Sequence, residues 1–281
     1  MDNEIIASLR RTVLVGVDGS PQALRAARWG AREAHRRGGP LHLVAAAGPG
    51  ALRPTGVGGT SSARARDAVA GAARETLAEA AEAALTVVPG LEVRQQVRPG
   101  SALPVLVAES EWAGVLVLGT RGRGPLRTAL SDSVTTALAA AARCPLVAVR
   151  GDLVAAERAG APVLLLVDDS PAGHAARRFA AAAASSRSSP LVTVHLGANP
   201  AASSVAPRGP GPRGSDQHSS GPHEAGPHDA RQLPALSAGA ALVVVGVRAR
   251  GRRLDAPAGP LVRRLLRTSQ CPVGVVRDVP F

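Results

Sequence analysis

Short runs of Val, Leu and Ala alternate along this chain with longer stretches whose apolar positions recur every three or four residues. The first run, Thr12-Val-Leu-Val-Gly-Val17, is apolar on both faces and reads as a buried strand. Asp18-Gly-Ser-Pro21 ends it and leads into a helix over 22–37, with Ala23, Ala26, Ala27, Gly30 and Ala31 on one face and Gly38-Gly-Pro40 as the stop. A second strand follows over 41–47, then a Gly/Pro-rich loop over 48–60 and a long Ala-rich helix over 61–87. The alternation over 91–97 predicts a third strand, and Pro99-Gly-Ser101 opens a helix ending near Trp112. Strand 114–118, a Gly- and Arg-rich loop over 119–133, helix 134–142 and strand 145–150 complete the series. Strands alternating with helices imply an α/β fold: an open parallel sheet, doubly wound, with helices on both faces. Ligands of such sheets sit beyond the strand C-terminal ends, where Asp18 and Gly119 would meet.

The pattern then repeats. Residues 163–183 answer 13–31, with Asp168 in the place of Asp18, 150 positions on. Residues 241–253 answer 114–126, and Gly246 and Cys271 follow Gly119 and Cys144 by 127. The middle of the second unit is therefore 23 residues shorter. After the strand over 190–196, the first unit's long helix and third strand have no counterpart in the pattern. Their place is taken by 197–232, rich in Pro, Gly, Ser and His, which reads as disordered. This gives two tandem domains, 1–152 and 161–281, the second truncated, with the boundary between Gly151 and Ala161.

Composition narrows the function. Every one of the 33 basic residues is Arg, and the net charge is +12. An Arg excess of this size fits a polyanion binder, but no recognised nucleic-acid motif accompanies it. With aromatics at 1% the chain lacks the rings on which single-stranded bases stack. The first residues, MDNEIIASLRR, start acidic and have no long apolar core, and no apolar run approaches the roughly 20 residues of a membrane span. The expectation is a cytoplasmic protein without membrane contact, and with nucleic acid a less favoured partner.

Strand, Gly-rich loop and helix start, as at 114–134, make an anion-binding geometry, because backbone N–H groups and the helix dipole face the loop. The residues that carry most information are VGVDGSP at 15–21, Trp29 and Glu33 in the following helix, Gly119-Thr-Arg-Gly122, Asp132-Ser133 after a gap of nine, and the closing Cys144-Pro-Leu-Val-Ala-Val-Arg150. Together they resemble the universal stress protein family in its tandem two-domain form, and the loop resembles that family's G-x2-G-x9-G-[ST] nucleotide motif. The match covers the first half and both ends of the second. The resemblance implies two Rossmann-like (adenine-nucleotide α-hydrolase-like) domains with five-stranded parallel sheets. It implies that the halves pair through their last strands, 145–150 and 272–277, as a pseudo-dimer within the chain or as a homodimer. It implies ATP as ligand: Asp18 and Ala46 hold adenine, Gly119 lies beside the ribose, and Gly122, the last motif position and Ser133 hold phosphates. The candidate set is thus Asp18, Gly19, Ser20, Ala46, Gly119, Arg121, Gly122, Asp132, Ser133 and Val134. The implied role is regulation or stress protection by an adenine nucleotide, with no catalysis and an unidentified protein partner.

Departures from the motif qualify this. Asp132 stands where the motif has its final Gly. Asp suits a helix cap, but it sets a carboxylate where a phosphate would lie. Two like charges about 5 Å apart cost roughly 3 kcal/mol at an effective dielectric near 20, about a hundredfold in affinity. Arg121, Arg123 and Arg127 could offset that, or Asp132 could hold a divalent ion such as Mg²⁺ that bridges to the phosphates. In the second half Ala249, Pro260 and Asp169 replace the second Gly, the Ser/Thr and Gly19, so that half is expected to be a structural partner without ATP. The alternative to a nucleotide-dependent regulator is an interaction scaffold of the same fold, its phosphate site closed by Asp132.

Other constellations read as structure. Asp168-Asp169 could be a metal or phosphoryl-acceptor pair, but such a pair at a strand end is more often a turn plus a helix cap. His218, His223 and His228 recur every five residues in a Gly/Pro segment with no defined metal site. Cys144 and Cys271, each before Pro, are core residues. Ser20 and Ser133 have no nearby His in the motif, against a hydrolase triad. Nothing supplies a base for a γ-phosphate, which speaks for binding.

Overall fold

The computed structural model of the protein describes residues 8–48, 63–120, 132–151, 153–167, 171–196, 223–228, 232–247 and 259–278. In the first half the strands are β1 (Val13–Val17), β2 (Leu41–Ala47), β3 (Val93–Pro99), β4 (Val115–Gly119) and β5 (Leu146–Val149). The helices between them are α1 (Pro21–Arg37), α2 (Ala63–Val87), α3 (Ala102–Glu109) and α4 (Asp132–Ala141). A single turn, α5 (Leu153–Ala156), leads to the second half. There the elements are β6 (Val163–Val167), α6 (Pro171–Ser185), β7 (Leu191–Leu196), β8 (His223–His228), α7 (Leu233–Ser237), β9 (Leu242–Val247), α8 (Pro260–Thr268) and β10 (Val273–Arg277).

The strand order among the described residues is β3-β2-β1-β4-β5-β10-β9-β6-β7-β8. Each half runs parallel inside, in a 3-2-1-4-5 order that reverses between its first and fourth strands. The halves join antiparallel through their last strands, with Val273 opposite Ala148 and Val275 opposite Leu146. This is an α/β fold of two tandem Rossmann-like units, and the end-to-end pairing exists within one chain.

One expectation is corrected. The pattern predicts no third strand within 197–232, yet the backbone of 223–228 pairs parallel to β7 as β8. Val194 and Leu196 face Ala225 and His228, so β8 carries one extra residue between them, at Gly226-Pro227. A bulge on an edge strand tolerates a Pro, because its missing N–H faces no neighbour. Such a strand is held by backbone pairing alone and shows no apolar alternation to read. The second half therefore has all five strands. Apart from Gln232, the rest of that segment lies outside the described residues.

Two cores run the length of the sheet, one on each face, and both draw on both halves. One joins Val15, Ala27 and Leu41 through Val147 to Val163, Leu165 and Val167. The other joins Leu116 and Leu138 to Val243 and Leu265. With so few aromatics, small residues carry the packing. The face of α1 that meets the sheet is Ala23, Ala26, Ala27, Gly30, Ala31 and Ala34, which lets the helix backbone come close to the strands.

Candidate functional site

The first half's strand order reverses between β1 and β4, and the chain leaves both strands on the same side. At the end of β1 the Asp18 carboxylate accepts from the Ser20 backbone N–H at 3.1 Å and from its hydroxyl at 2.6 Å. Ser20 Oγ in turn accepts from Ala23 N–H at 3.1 Å and caps α1, whose first residue is Pro21. Gly19 between them has φ +75°, a conformation that favours glycine. Val17 pairs with Ala45, so Ala46 comes alongside Asp18. Gly16 pairs with Leu118, so Gly119 comes alongside Val17. Asp18, Gly19, Ser20, Ala46 and Gly119 therefore gather at one strand end.

Gly119 has a packing reason of its own. A Cβ there would run into the backbone carbonyl of Gln22 and the N–H of Ala23, in the first turn of α1. The glycine lets β4 and the capped start of α1 touch. Thr120, which follows, is buried, and its N–H donates to the Val149 carbonyl at 3.0 Å.

Arg121 and Gly122 lie outside the described residues, as do Arg123 and Arg127. Asp132 is the first described residue of α4, ahead of the start at 134 that the pattern predicts. Ser133 is exposed, Val134 is half-buried against the core, and Thr135 is buried with no partner for Oγ1 among the described residues.

The second half repeats this frame. A Cβ on Gly246 would come within 2.6 Å of the Ala172 carbonyl, at the start of α6, as Gly119 does against α1. Helix α8 starts at Pro260 behind Gly259, as a proline at the first helical position should. Asp168, Asp169, Ala249 and His218 lie outside the described residues, and for His223 and His228 only the backbone is described.

Pairs that the pattern did not single out join the halves. Arg150 is buried and donates to the Leu265 and Arg267 carbonyls at the end of α8, at 3.3 and 2.8 Å. Arg277, 127 positions on, donates to the Ala142 carbonyl at the end of α4, at 3.0 Å. Each closing strand thus sends an arginine to the other half's helix end, where carbonyls and the negative dipole end favour a cation. Glu33 of α1 is buried and binds Arg37 at 2.7 Å and Arg187 at 2.5 Å. Burial pushes the Glu33 carboxyl up, and the Arg187 and Arg37 guanidiniums outweigh it and hold it below the ordinary 4.5. Arg187 also lies over the Trp29 ring and Arg37 over the Phe179 ring, 5.5 and 5.6 Å from the ring centres. Trp29 and Phe179 are 150 positions apart, as are Arg37 and Arg187, so the two stacks are one contact repeated. The repeat spacing is the signal in the sequence that points to these residues.

Cys144 and Cys271 are buried thiols, pushed by desolvation up to about 12 and about 11. They are packing residues and poor nucleophiles. Among the described residues no cluster of three His, Cys, Asp or Glu side chains could hold a metal, and no helix is long and apolar enough to cross a membrane.

A family model described as the universal stress protein family matches residues 10–150, half of the chain. A universal stress protein of Mycobacterium tuberculosis strain H37Rv is 32% identical, with 95% of this chain and 96% of the relative covered. The chain belongs to the universal stress protein family. Another universal stress protein, from Mycolicibacterium smegmatis, is 35% identical over 66% of this chain and 63% of its own length. The universal stress protein fold is found again in a crystal structure from Archaeoglobus fulgidus. That structure has a TM-score of 0.67 at 16% identity and covers 96% of this chain and 99% of the other.

Proposed function

We propose that the protein is a nucleotide-responsive regulator of stress physiology that binds ATP at the ends of β1 and β4 in its first half, acting by binding and not by catalysis. The observation that carries this reading is the gathering of Asp18, Gly19, Ser20, Ala46 and Gly119 where the strand order reverses. That is where ligands of doubly wound sheets enter. The described residues fit the adenosine end of such a ligand. Asp18 is exposed at the strand end, Ala46 beside it is small, and Gly19 carries no side chain. Arg121, Gly122, Asp132, Ser133 and Val134 would hold the phosphate end, with Mg²⁺ bridging at Asp132. A bound nucleotide would supply charge and shape to the loop and helix start, and this chain's part is to bind and orient it.

The test is calorimetric titration of ATP into the full chain, with and without Mg²⁺, after removal of any nucleotide carried through purification. Saturable binding that weakens in Asp18→Ala is the expected result. Asp132→Gly should tighten it up to about a hundredfold without Mg²⁺, where only the like-charge repulsion is removed, and should lose that gain with Mg²⁺, where the bridge is lost as well. No heat at millimolar ATP in the native chain would overturn it. A second reading, a scaffold without nucleotide, is favoured by one observation: Asp18 Oδ1 and Gly119 already have structural tasks in the turn and against α1.

A further inference from the structure

A second concave site lies between the halves, away from the ends of β1 and β4. It is a cleft of about 210 Å³, bounded by Trp29 and Arg36 of α1, Glu157 and Arg158 of the connection, and the turn at Arg187 and Ser188. Its charge is one-sided. Arg37 and Arg187 take the two oxygens of Glu33, and Arg32 takes Glu157 at 2.8 Å. Arg36 stands 3.9 Å from Glu33, beyond a hydrogen bond, and Arg158 has no ion pair among the described residues. Burial, and then repulsion from Arg187, make the charge on Arg36 harder to keep than in water. Two guanidiniums thus border one small cleft without a carboxylate within hydrogen-bond reach.

The comparison of the halves shows that this side is special. Helix α1 ends with Gly38 N–H on His35 and Gly39 N–H on Ala34; α6 ends with Ser188 N–H on Ser185 and Ser189 N–H on Ala184, the same two bonds 150 positions on. Gly38 has φ +60°, which suits it, and Ser188 has φ +50°, which suits a serine poorly. A serine kept in that conformation sets the Ser188 hydroxyl on the rim of the cleft. The strained residue and the surplus cations belong to the same small volume.

We propose that this cleft binds a phosphoryl group, carried either by inorganic phosphate or by a small phosphomonoester. A dianion matches two guanidiniums that lack a close carboxylate, whose planar forks suit phosphate oxygens. A tetrahedral group can also accept from the Ser188 hydroxyl, whereas the Ser186 and Ser189 hydroxyls donate to the Ala183 and Arg187 carbonyls. The volume admits a phosphate with a few further atoms and is too small for a nucleic-acid strand.

The experiment is calorimetric titration of the full chain, in a phosphate-free buffer at constant chloride, with inorganic phosphate in one arm and glycerol phosphate in the other. Native chain is compared with Arg36→Ser, which installs the residue found at the equivalent position 186, and with Arg158→Ser. The expected result is one saturable site per chain, weakened at least tenfold in each variant, while the melting temperature of the ligand-free variants does not fall. Tighter binding of the ester assigns the source to a metabolite; equal or tighter binding of phosphate assigns it to the free ion. Either supports the site. Absence of saturable heat in both arms, or unchanged affinity in both variants, overturns it. Phosphate binding that survives Arg36→Ser but is lost in Asp18→Ala also overturns it, and would place phosphate at the nucleotide site instead. Failure to bind ATP has no bearing on this outcome.

Discussion

Helices α1 and α6 occupy equivalent places on the two sides of the β5–β10 seam, and they differ in what they carry there. Both lay an aromatic residue and an arginine across the seam, Trp29 with Arg37 and Phe179 with Arg187. Only α1 carries the carboxylate, because position 183, equivalent to Glu33, is an alanine, and position 186, equivalent to Arg36, is a serine. The two arginine–aromatic stacks are duplicated, whereas the Glu33 carboxylate and the Arg36 charge that opens onto the cleft are not. A duplicated contact is what a pseudo-twofold seam demands of both sides. A charge present on one side only needs another explanation, and an anion in the cleft supplies one.

Removing the acid that only α1 carries should have the largest effect. Glu33→Ala leaves Arg187, itself buried, without its carboxylate, and loss of one partner of a buried pair costs about 3–5 kcal/mol. Denaturant unfolding of the variant should show that loss. Adding Ala183→Glu in the same chain should recover a good part of it, because Arg37 and Arg187 are equivalent positions and exchange places about the seam; no recovery would mean that the two sides are not equivalent. The pH dependence follows from the sign of the shift. Glu33 is held below its ordinary 4.5, so its stabilisation is complete above that value and is lost as pH falls through the folded-state value. Glu33→Gln should flatten the acid limb of melting temperature against pH, and an acid limb identical to the native one would show that Glu33 does not set it.

A smaller effect tests what the halves share. Gly119→Ala and Gly246→Ala each push a methyl group into the backbone at the start of the neighbouring helix, at Gln22 and at Ala172. Forced overpacking of this kind costs about 1–3 kcal/mol. Both variants should lose stability, and Gly119→Ala should lose more, because its contacts are closer. If Gly119→Ala kept full stability and lost only ATP binding, the glycine would serve the ligand and not the packing.

Strands β1, β4 and β5 were legible because buried parallel strands are continuous runs of Val, Leu and Ala, the edge strand β3 because it alternates, and α1 because its alanines recur at helical spacing. Strand β8 was not, since His223-Glu-Ala-Gly-Pro-His228 has neither alternation nor β-branched residues. The short α5 was missed for a related reason: one turn carries too few positions for a period to show. At the site, Asp18 and Gly119 could be picked out by motif, but the clash that makes Gly119 a glycine depends on how closely α1 approaches β4. The seam was least legible. Glu33 and Arg187 are 154 positions apart, and nothing local to either marks it as the other's partner.

The mildest change bears most directly on the difference between α1 and α6. Ser188 is held at φ +50° in a turn whose bonds are those of Gly38. A left-handed conformation costs a residue with a Cβ roughly 1–2 kcal/mol relative to glycine. Part of that gain is offset, because glycine also loses more freedom on folding. Ser188→Gly should therefore raise stability by up to about 1 kcal/mol, and Gly38→Ser should lower it by a similar amount. Urea unfolding of the two variants and the native chain resolves a difference of this size. A stabilised Ser188→Gly that also binds phosphate more weakly would tie the strained serine to the cleft; a stabilised variant with native affinity would leave the rim hydroxyl at 188 without a part in binding, and Arg36 and Arg158 as the groups that matter.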